Sequence, residues 1–266
     1  MNRISLPTID LSQSQIDQSD LVDFVKENLD SYGCVLLKEY PVDINCLQST
    51  SKKYQDFCEL IGQPVSHDEN NSIVWDIKKA AQSESAVQTY SEHDGEAELH
   101  TDSQYREKPE DYFGLLSLVR ANCGGGMSLI MRRGDVIQEL SEKPNGKELV
   151  AALKTEQFPF VVPTVFKRTI NEEPEFVYGP ILTEDKIRFR VDTMIKALPY
   201  HDNLLSDTAL KAFNALVEIV RESPRIQRFF LEPRDLIFIN NTTVLHGRTA
   251  FSDHARHMLR IRMNKR

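Results

Sequence analysis

The sequence predicts an α+β chain, mainly β, built around an antiparallel sheet or barrel with helices packed outside it. Three observations carry this. Helical periodicity opens the chain, short apolar strands crowd its middle and end, and one helical insert near residues 206–222 interrupts the late strands. No internal repeat, low-complexity run or shift in composition marks a boundary across the 266 residues. One domain spanning 1–266 is therefore expected.

Hydrophobic residues make up 40% of the chain and charged residues 27%, ordinary for a soluble globular protein. The net charge of -8 argues against a general nucleic-acid binder. It leaves room for a small anionic ligand, because a local arginine cluster overrides net charge. No apolar run approaches the roughly 20 residues of a membrane span. Residues 1–10 lack a basic region followed by an apolar one. Cys34, Cys46, Cys58 and Cys123 show no CxxC spacing and read as free thiols. A cytoplasmic protein with no nucleic-acid or membrane partner is expected.

The elements follow in order. Ser19–Ser31 reads as a helix capped by Ser19, with Leu21, Val22, Phe24, Val25 and Leu29 on one face. Gly33 ends it, and Cys34–Leu37 is a short buried strand. A second helix is expected from about Asp43 to Leu60, and a strand over Ile73–Ile77. Tyr112–Val119 is a strand of the buried type. Cys123-Gly124-Gly125-Gly126 turns the chain into a strand over Met127–Met131. Gly134–Glu142 and Gly146–Lys154 read as helices, and Phe158–Phe166 and Glu175–Tyr178 as extended. Lys186–Val191 alternates with period two, which predicts a half-buried strand. Ser206 caps a helix to Glu222 that turns Leu210, Phe213, Leu216, Val217 and Val220 inward. Gln227–Leu231, a turn at Glu232-Pro233-Arg234-Asp235, Leu236–Ile239 and a terminal segment Arg256–Arg262 close the chain, in a region where strands are expected to dominate.

The chemistry centres on His100-Thr101-Asp102. An imidazole and a carboxylate two apart in an extended segment project to the same side. A second imidazole from a distant strand, His246 of Leu245-His246-Gly247-Arg248, would complete a two-His, one-carboxylate face. That is the ligand set of non-haem Fe(II) oxygenases, with three positions left open. Zinc accepts the same three residues, so a zinc-dependent hydrolase stands as the alternative of a different class. Arg256 and Arg260, four apart near the C-terminus, each offer a planar, permanently charged fork for a carboxylate. Ser128, after the glycine turn, could add a hydroxyl to the same carboxylate. A 2-oxo dicarboxylate would suit this set. Its oxo end would meet the metal, its far carboxylate would meet Arg256 and Ser128, and one metal position would remain for dioxygen. The polar stretch Lys79–Glu98 runs into the motif and reads as a binding loop or lid. Its Gln88, Tyr90 and Ser91 are candidate substrate contacts.

These residues resemble the Fe(II)/2-oxoglutarate-dependent oxygenases of the taurine dioxygenase (TauD/TfdA) superfamily, leaning toward the clavaminate-synthase-like branch. The resemblance runs from about Tyr32 to Arg262. It is strongest at His100-Thr101-Asp102 leading into Tyr105–Leu118, at Gly125-Gly126-Met127-Ser128, at Pro233–Asn241, at His246–Phe251 and at Arg256–Arg260. It implies a double-stranded β-helix, or jelly roll, with flanking helices. It implies His100, Asp102 and His246 as catalytic iron ligands and Arg256 with Ser128 as the 2-oxoglutarate partners. Arg260 matches a position that meets an anionic group of the substrate in some members. The implied cofactors are Fe(II), 2-oxoglutarate and O2, with ascorbate as reductant in vitro. The implied reaction is oxidation of a C–H bond, most often hydroxylation, on a small carboxylate-bearing substrate such as an amino acid or derivative. Specialised (natural product) metabolism is the expected setting. Desaturation, cyclisation and oxidative decarboxylation use the same cofactors and stay open, as does the oligomeric state. Three features depart from the branch: Asp102 where Glu is common, a shorter loop between His246 and Arg256, and Arg234 at a turn position where Gly is frequent. Halogenating relatives replace the ligand carboxylate with a small residue, so Asp102 argues against halogenation.

Overall fold

The computed structural model describes residues 5–66, 71–79, 93–163, 173–201 and 204–266. The architecture is mixed helix and sheet, with sheets dominant. Strand β1 (Thr8–Asp10) is followed by helix α1 (Gln18–Ser31), and the cap of α1 is Asp17 rather than Ser19. The Asp17 carboxylate accepts from the backbone N–H of Asp20, so the cap lies two residues before the serine and the helix begins at Gln18. Gly33, at φ 94°, turns the chain into β2 (Cys34–Lys38). Helix α2 (Leu47–Ile61) starts later than expected, because the Asp43 side chain accepts from Asn45 N–H and holds a local turn instead.

Short strands β3 (Gln63–Val65), β4 (Trp75–Ile77) and β5 (Ala97–His100) precede the long β6 (Tyr112–Val119) and β7 (Ser128–Arg132). Helices α3 (Arg133–Glu142) and α4 (Gly146–Thr155) and a hairpin of β8 (Phe158–Val161) and β9 (Phe176–Gly179) come next. The latter part of the extended Phe158–Phe166 expectation lies outside the described residues. Helices α5 (Val191–Ala197) and α6 (Asp207–Glu222) lead to β10 (Gln227–Phe229), β11 (Leu236–Asn240), β12 (Val244–Arg248) and β13 (His257–Asn264).

The strands form a seven-stranded sheet in the order β1-β2-β11-β6-β13-β3, with β4 also on β13, and a four-stranded sheet in the order β10-β7-β12-β5. Strand alternation sorts their side chains into layers. Leu236 and Phe238 of β11 pack with α1 and α2 on the outer face of the larger sheet, whereas Ile237 and Ile239 point inward. Ile130 of β7 and Val244 of β12 meet them from the smaller sheet. Leu129, Met131 and Leu245 face outward onto α3, α4 and α6. Positions of inward parity near one end of this space are polar: His100, His246, Arg260 and Arg262.

Two expectations need correction. Lys186–Val191 is not a ladder strand. Its burial does alternate, with Ile187, Phe189 and Val191 buried, but its N–H groups go elsewhere. Ile187 N–H donates to Thr242 O, Arg188 N–H to Ile181 O and Phe189 N–H to the Thr101 hydroxyl. Val191 already begins α5. Period two reports a half-buried extended chain, and pairing is a separate matter. In α6, Ser206 caps as expected, its hydroxyl accepting from Ala209 N–H. Leu210, however, is 38% exposed, because the buried stripe runs through Ala209, Ala212, Phe213, Leu216, Ile219 and Val220.

Candidate metal centre

Strands β5 and β12 run antiparallel with His246 opposite His100, and their ring centroids lie 4.4 Å apart. The register shifts between His246 and Arg248, a bulge of the kind that re-aims side chains beside active sites. Gly247 sits at that shift, where an added Cβ would stand 2.6 Å from Ala97 O. The chain leaves β5 at His100, and Asp102 follows in a turn. Asp102 Oδ1 lies 3.6 Å from His100 Nε2 and 3.9 Å from His246 Nε2. The three potential ligand atoms lie within 4.8 Å of one another, and all three residues are buried.

The protonation states suit a cation. His100 Nδ1 faces the Glu98 carbonyl at 2.7 Å, where it can only donate. That fixes the tautomer and leaves the Nε2 lone pair toward Asp102. Burial, with His100 beside it, pushes the pKa of His246 well below its ordinary value, which favours the neutral ring that a metal would need. Burial would raise the pKa of Asp102, but Arg260 and Arg262 outweigh it and hold the carboxyl well below the usual range. Arg260 Nη1 donates to Asp102 Oδ2 at 3.2 Å and Arg262 Nη2 to the same oxygen at 3.4 Å. Oδ2 is thus engaged and Oδ1 is left facing the imidazoles. Asn241, 2% exposed, fixes the backbone beneath. Its Oδ1 accepts from Asp102 N–H at 2.7 Å, and its Nδ2 donates to the carbonyls of Asp102 and Glu110.

A second polar group lies at the end of β12. Arg256 is 4% exposed, packs 5.2 Å from the Phe251 ring and donates through Nη2 to the Met258 sulfur. Its Nη1 is buried with no hydrogen-bond partner. Burial, and then Arg248, draw its pKa down to about 9, and it remains a cation at neutral pH. The glycine turn makes this packing possible. Gly126, at φ 77°, has an absent Cβ whose place is 3.3 Å from the Arg256 side chain. Ser128 heads β7 opposite Arg248 and shares the parity of inward-facing Ile130. An ionised carboxylate in this pocket would meet an orphaned guanidinium donor, which is what the far end of 2-oxoglutarate requires.

The structure therefore brings His100, Asp102 and His246 into one cluster and buries Arg256 with its Nη1 unpartnered. It places Arg260 on Asp102. Gln88, Tyr90 and Ser91, and most of the expected Lys79–Glu98 loop, lie outside the described residues. Asn241 and Arg262 fall in stretches the sequence marks, yet no local pattern gives them a task. The alternation of Arg260 and Arg262 on one strand was the available signal. Arg234 adopts φ 71°, which accounts for the preference for glycine at that turn.

The family model for the taurine catabolism dioxygenase TauD, TfdA family matches residues 2–262. The chain belongs to this family and is an Fe(II)/2-oxoglutarate-dependent dioxygenase, which removes the zinc-hydrolase alternative. No curated protein sequence matches it. Among solved structures, an asparagine oxygenase in complex with Fe(II), 3-hydroxyasparagine and succinate superposes with a TM-score of 0.69 at 19% identity. The match covers 93% of this chain and 78% of that one. The non-heme iron oxygenase OrfP with Fe and α-ketoglutaric acid superposes with a TM-score of 0.67 at 17% identity, covering 92% of this chain and 80% of that one. OrfP with Fe and L-canavanine gives a TM-score of 0.66 at 17% identity, over 93% and 80%. These similarities establish the fold. Among the described residues, no helix is long and apolar enough to cross a membrane.

Proposed function

We propose that His100, Asp102 and His246 hold Fe(II), that Arg256 and Ser128 hold the far carboxylate of 2-oxoglutarate, and that the enzyme hydroxylates a small amino acid or amino-acid derivative. The observation that carries this reading is the buried triad together with the buried, orphaned Nη1 of Arg256. We read the two facing sheets as a double-stranded β-helix, or jelly roll, and residues 1–266 as one oxygenase domain. The amino-acid class draws support from the structural neighbours, which were solved with hydroxyasparagine, canavanine and hydroxyarginine. The four free cysteines suit a reducing compartment, and the cytoplasm is the location we propose.

Iron, 2-oxoglutarate and dioxygen together supply the oxidising chemistry, releasing succinate and carbon dioxide. The residues supply everything else. His100 and His246 would supply the two ring nitrogens. Asp102 presents Oδ1, while Arg260 and Arg262 hold Oδ2 and keep the carboxylate ionised at working pH. Arg256 orients the co-substrate by its fork, so that the opposite end is delivered to the metal. The walls of Phe113, Ile130 and Val244 keep the space between the sheets dry behind the site.

The test is succinate formation by the purified protein with Fe(II), ascorbate and 2-oxoglutarate across a panel of amino acids and their derivatives. Substrate-dependent succinate and a product gain of one oxygen are expected. No succinate with any member would reject the reading. A loss of two hydrogens instead would move the outcome to desaturation or cyclisation within the same family.

A further inference from the structure

Immediately after Asp102 the chain carries a second set of buried polar atoms that the metal and 2-oxoglutarate do not use. Ser103 is 5% exposed, adopts φ 55°, and leaves its hydroxyl without a hydrogen-bond partner. Such a backbone conformation is costly for a serine and collects at functional sites. Gln104 is 1% exposed. Its Nε2 donates to Thr193 Oγ1 at 3.3 Å, while its Oε1 is unsatisfied. Arg188 reaches the same place from the extended segment before α5, and its Nε donates to the Gln104 carbonyl. That bond fixes the plane of the guanidinium and leaves Nη2 buried with no acceptor.

The surroundings of Arg188 favour a visiting anion. Its guanidinium carbon lies 4.3 Å from the Phe160 ring centroid, and Gly179 lets the fork pack against the backbone of β9, since a Cβ there would stand 2.8 Å from Nη1. No carboxylate among the described residues pairs with it. Burial alone draws its pKa down to about 10, so it stays charged at neutral pH. A half-buried guanidinium with one buried, unpartnered donor and no counter-charge is unfavourable, and a ligand carboxylate would relieve it. Gln104 lies two residues, at most about 7 Å of chain, beyond Asp102. A small molecule can therefore touch Arg188 and still present a C–H bond to the metal. Arg260, by contrast, already spends Nη1 on Asp102.

We propose that Arg188, with Ser103 and Gln104, forms a second anion subsite that seats an acidic group of the substrate, so that the substrate class is an amino acid or derivative with an acidic side chain. This rests on the metal and 2-oxoglutarate assignment above. Arg188 supplies the charge, and the Ser103 hydroxyl supplies a further donor. Gln104 Oε1 accepts from the substrate's own N–H or O–H, which would otherwise be left unpaired in the pocket. An uncharged amide in place of the acid would leave the Arg188 cation half-buried without its partner, which is how the site would reject it.

The experiment is calorimetric titration of the anaerobic Fe(II)-loaded protein. 2-Oxoglutarate is added first, and L-aspartate, L-glutamate, L-asparagine and L-glutamine are then titrated into the saturated complex. Absence of 2-oxoglutarate binding would strike the underlying assignment and leaves its own signature at the first step. Given that binding, at least one acid should bind roughly tenfold or more tightly than its amide, the worth of one charge-assisted hydrogen bond. Arg188→Gln should remove that preference while leaving 2-oxoglutarate affinity within twofold, and Arg188→Lys should keep part of it. A merely structural role would weaken acid and amide alike. Equal binding of acid and amide by the wild type, no binding of either acid, or a preference that survives Arg188→Gln would overturn the proposal. The wild-type comparison decides by itself if the glutamine variant does not fold.

Discussion

Asp102 has two oxygens with two tasks. Oδ1 faces the imidazoles, and Oδ2 is tied to two arginines. Asp102→Ala should abolish iron-dependent succinate formation, and full activity in that variant would sink the ligand assignment. The same change strips Arg260 and Arg262 of a buried counter-charge, a loss of about 3–5 kcal/mol, which a denaturant melt of the metal-free protein would register. Asn241 acts on Asp102 only through its backbone. Asn241→Ala should lower iron affinity by roughly 10–100-fold, as support residues of metal ligands commonly do, with the 2-oxoglutarate requirement at saturating iron little changed. Metal titration under anaerobic conditions checks it. Arg256→Lys should raise the 2-oxoglutarate KM by about tenfold or more, because an ammonium cannot reproduce the fork. An unaltered KM would point to Arg260 or Arg262 as the partner.

At the scale of elements, the centre depends on how β12 meets its two neighbours. β12 pairs with β7 in continuous register, but slips against β5 at Gly247. That slip sets His246 opposite His100 while Arg248 moves on to Ala97. Gly247→Ala would drive a Cβ into the Ala97 carbonyl and push the two strands apart. Iron occupancy should fall even though no ligand is changed, and metal analysis of the purified variant tests this. β13 acts through alternation. Leu259, Ile261 and Met263 face α2, so Arg260 and Arg262 face the site. The element level is also where sequence patterns were least complete. Tyr112–Val119 is a strand over the expected residues, because six of its eight residues are large and apolar and both of its faces are covered. Lys186–Val191 has the strand period without the ladder, because pairing depends on which edge is nearby. Here the neighbours are Thr101, Ile181 and Thr242, each of which bonds one residue of the segment.

Across the whole molecule, the proposed metal ligands join β5, its following turn and β12, and Asn241 joins that turn to the end of β11. A ligand bound there stabilises the folded state by mass action. Iron and 2-oxoglutarate at about a hundred times their dissociation constants should raise the melting temperature by roughly 5–10 °C. A chelator should reverse the shift, and Asp102→Ala should not show it. An unchanged melting temperature in the wild type would count against a shared site.

The family and the sheet-dominated class were legible in the amino-acid order, and so were the residues proposed here for the site. This is because ligand identity is a property of residue type and order: His100, Asp102, His246 and Arg256 are legible as letters. Only the packed chain settles which oxygen of Asp102 faces the imidazoles, that Arg262 reaches its carboxylate while Asn241 fixes its backbone, and that Arg188 lies half-buried beside Gln104 with no acid partner among the described residues. These depend on contacts between residues 84 to 160 positions apart. Local periodicity is silent at such separations, because it records which way a side chain points and not what it meets.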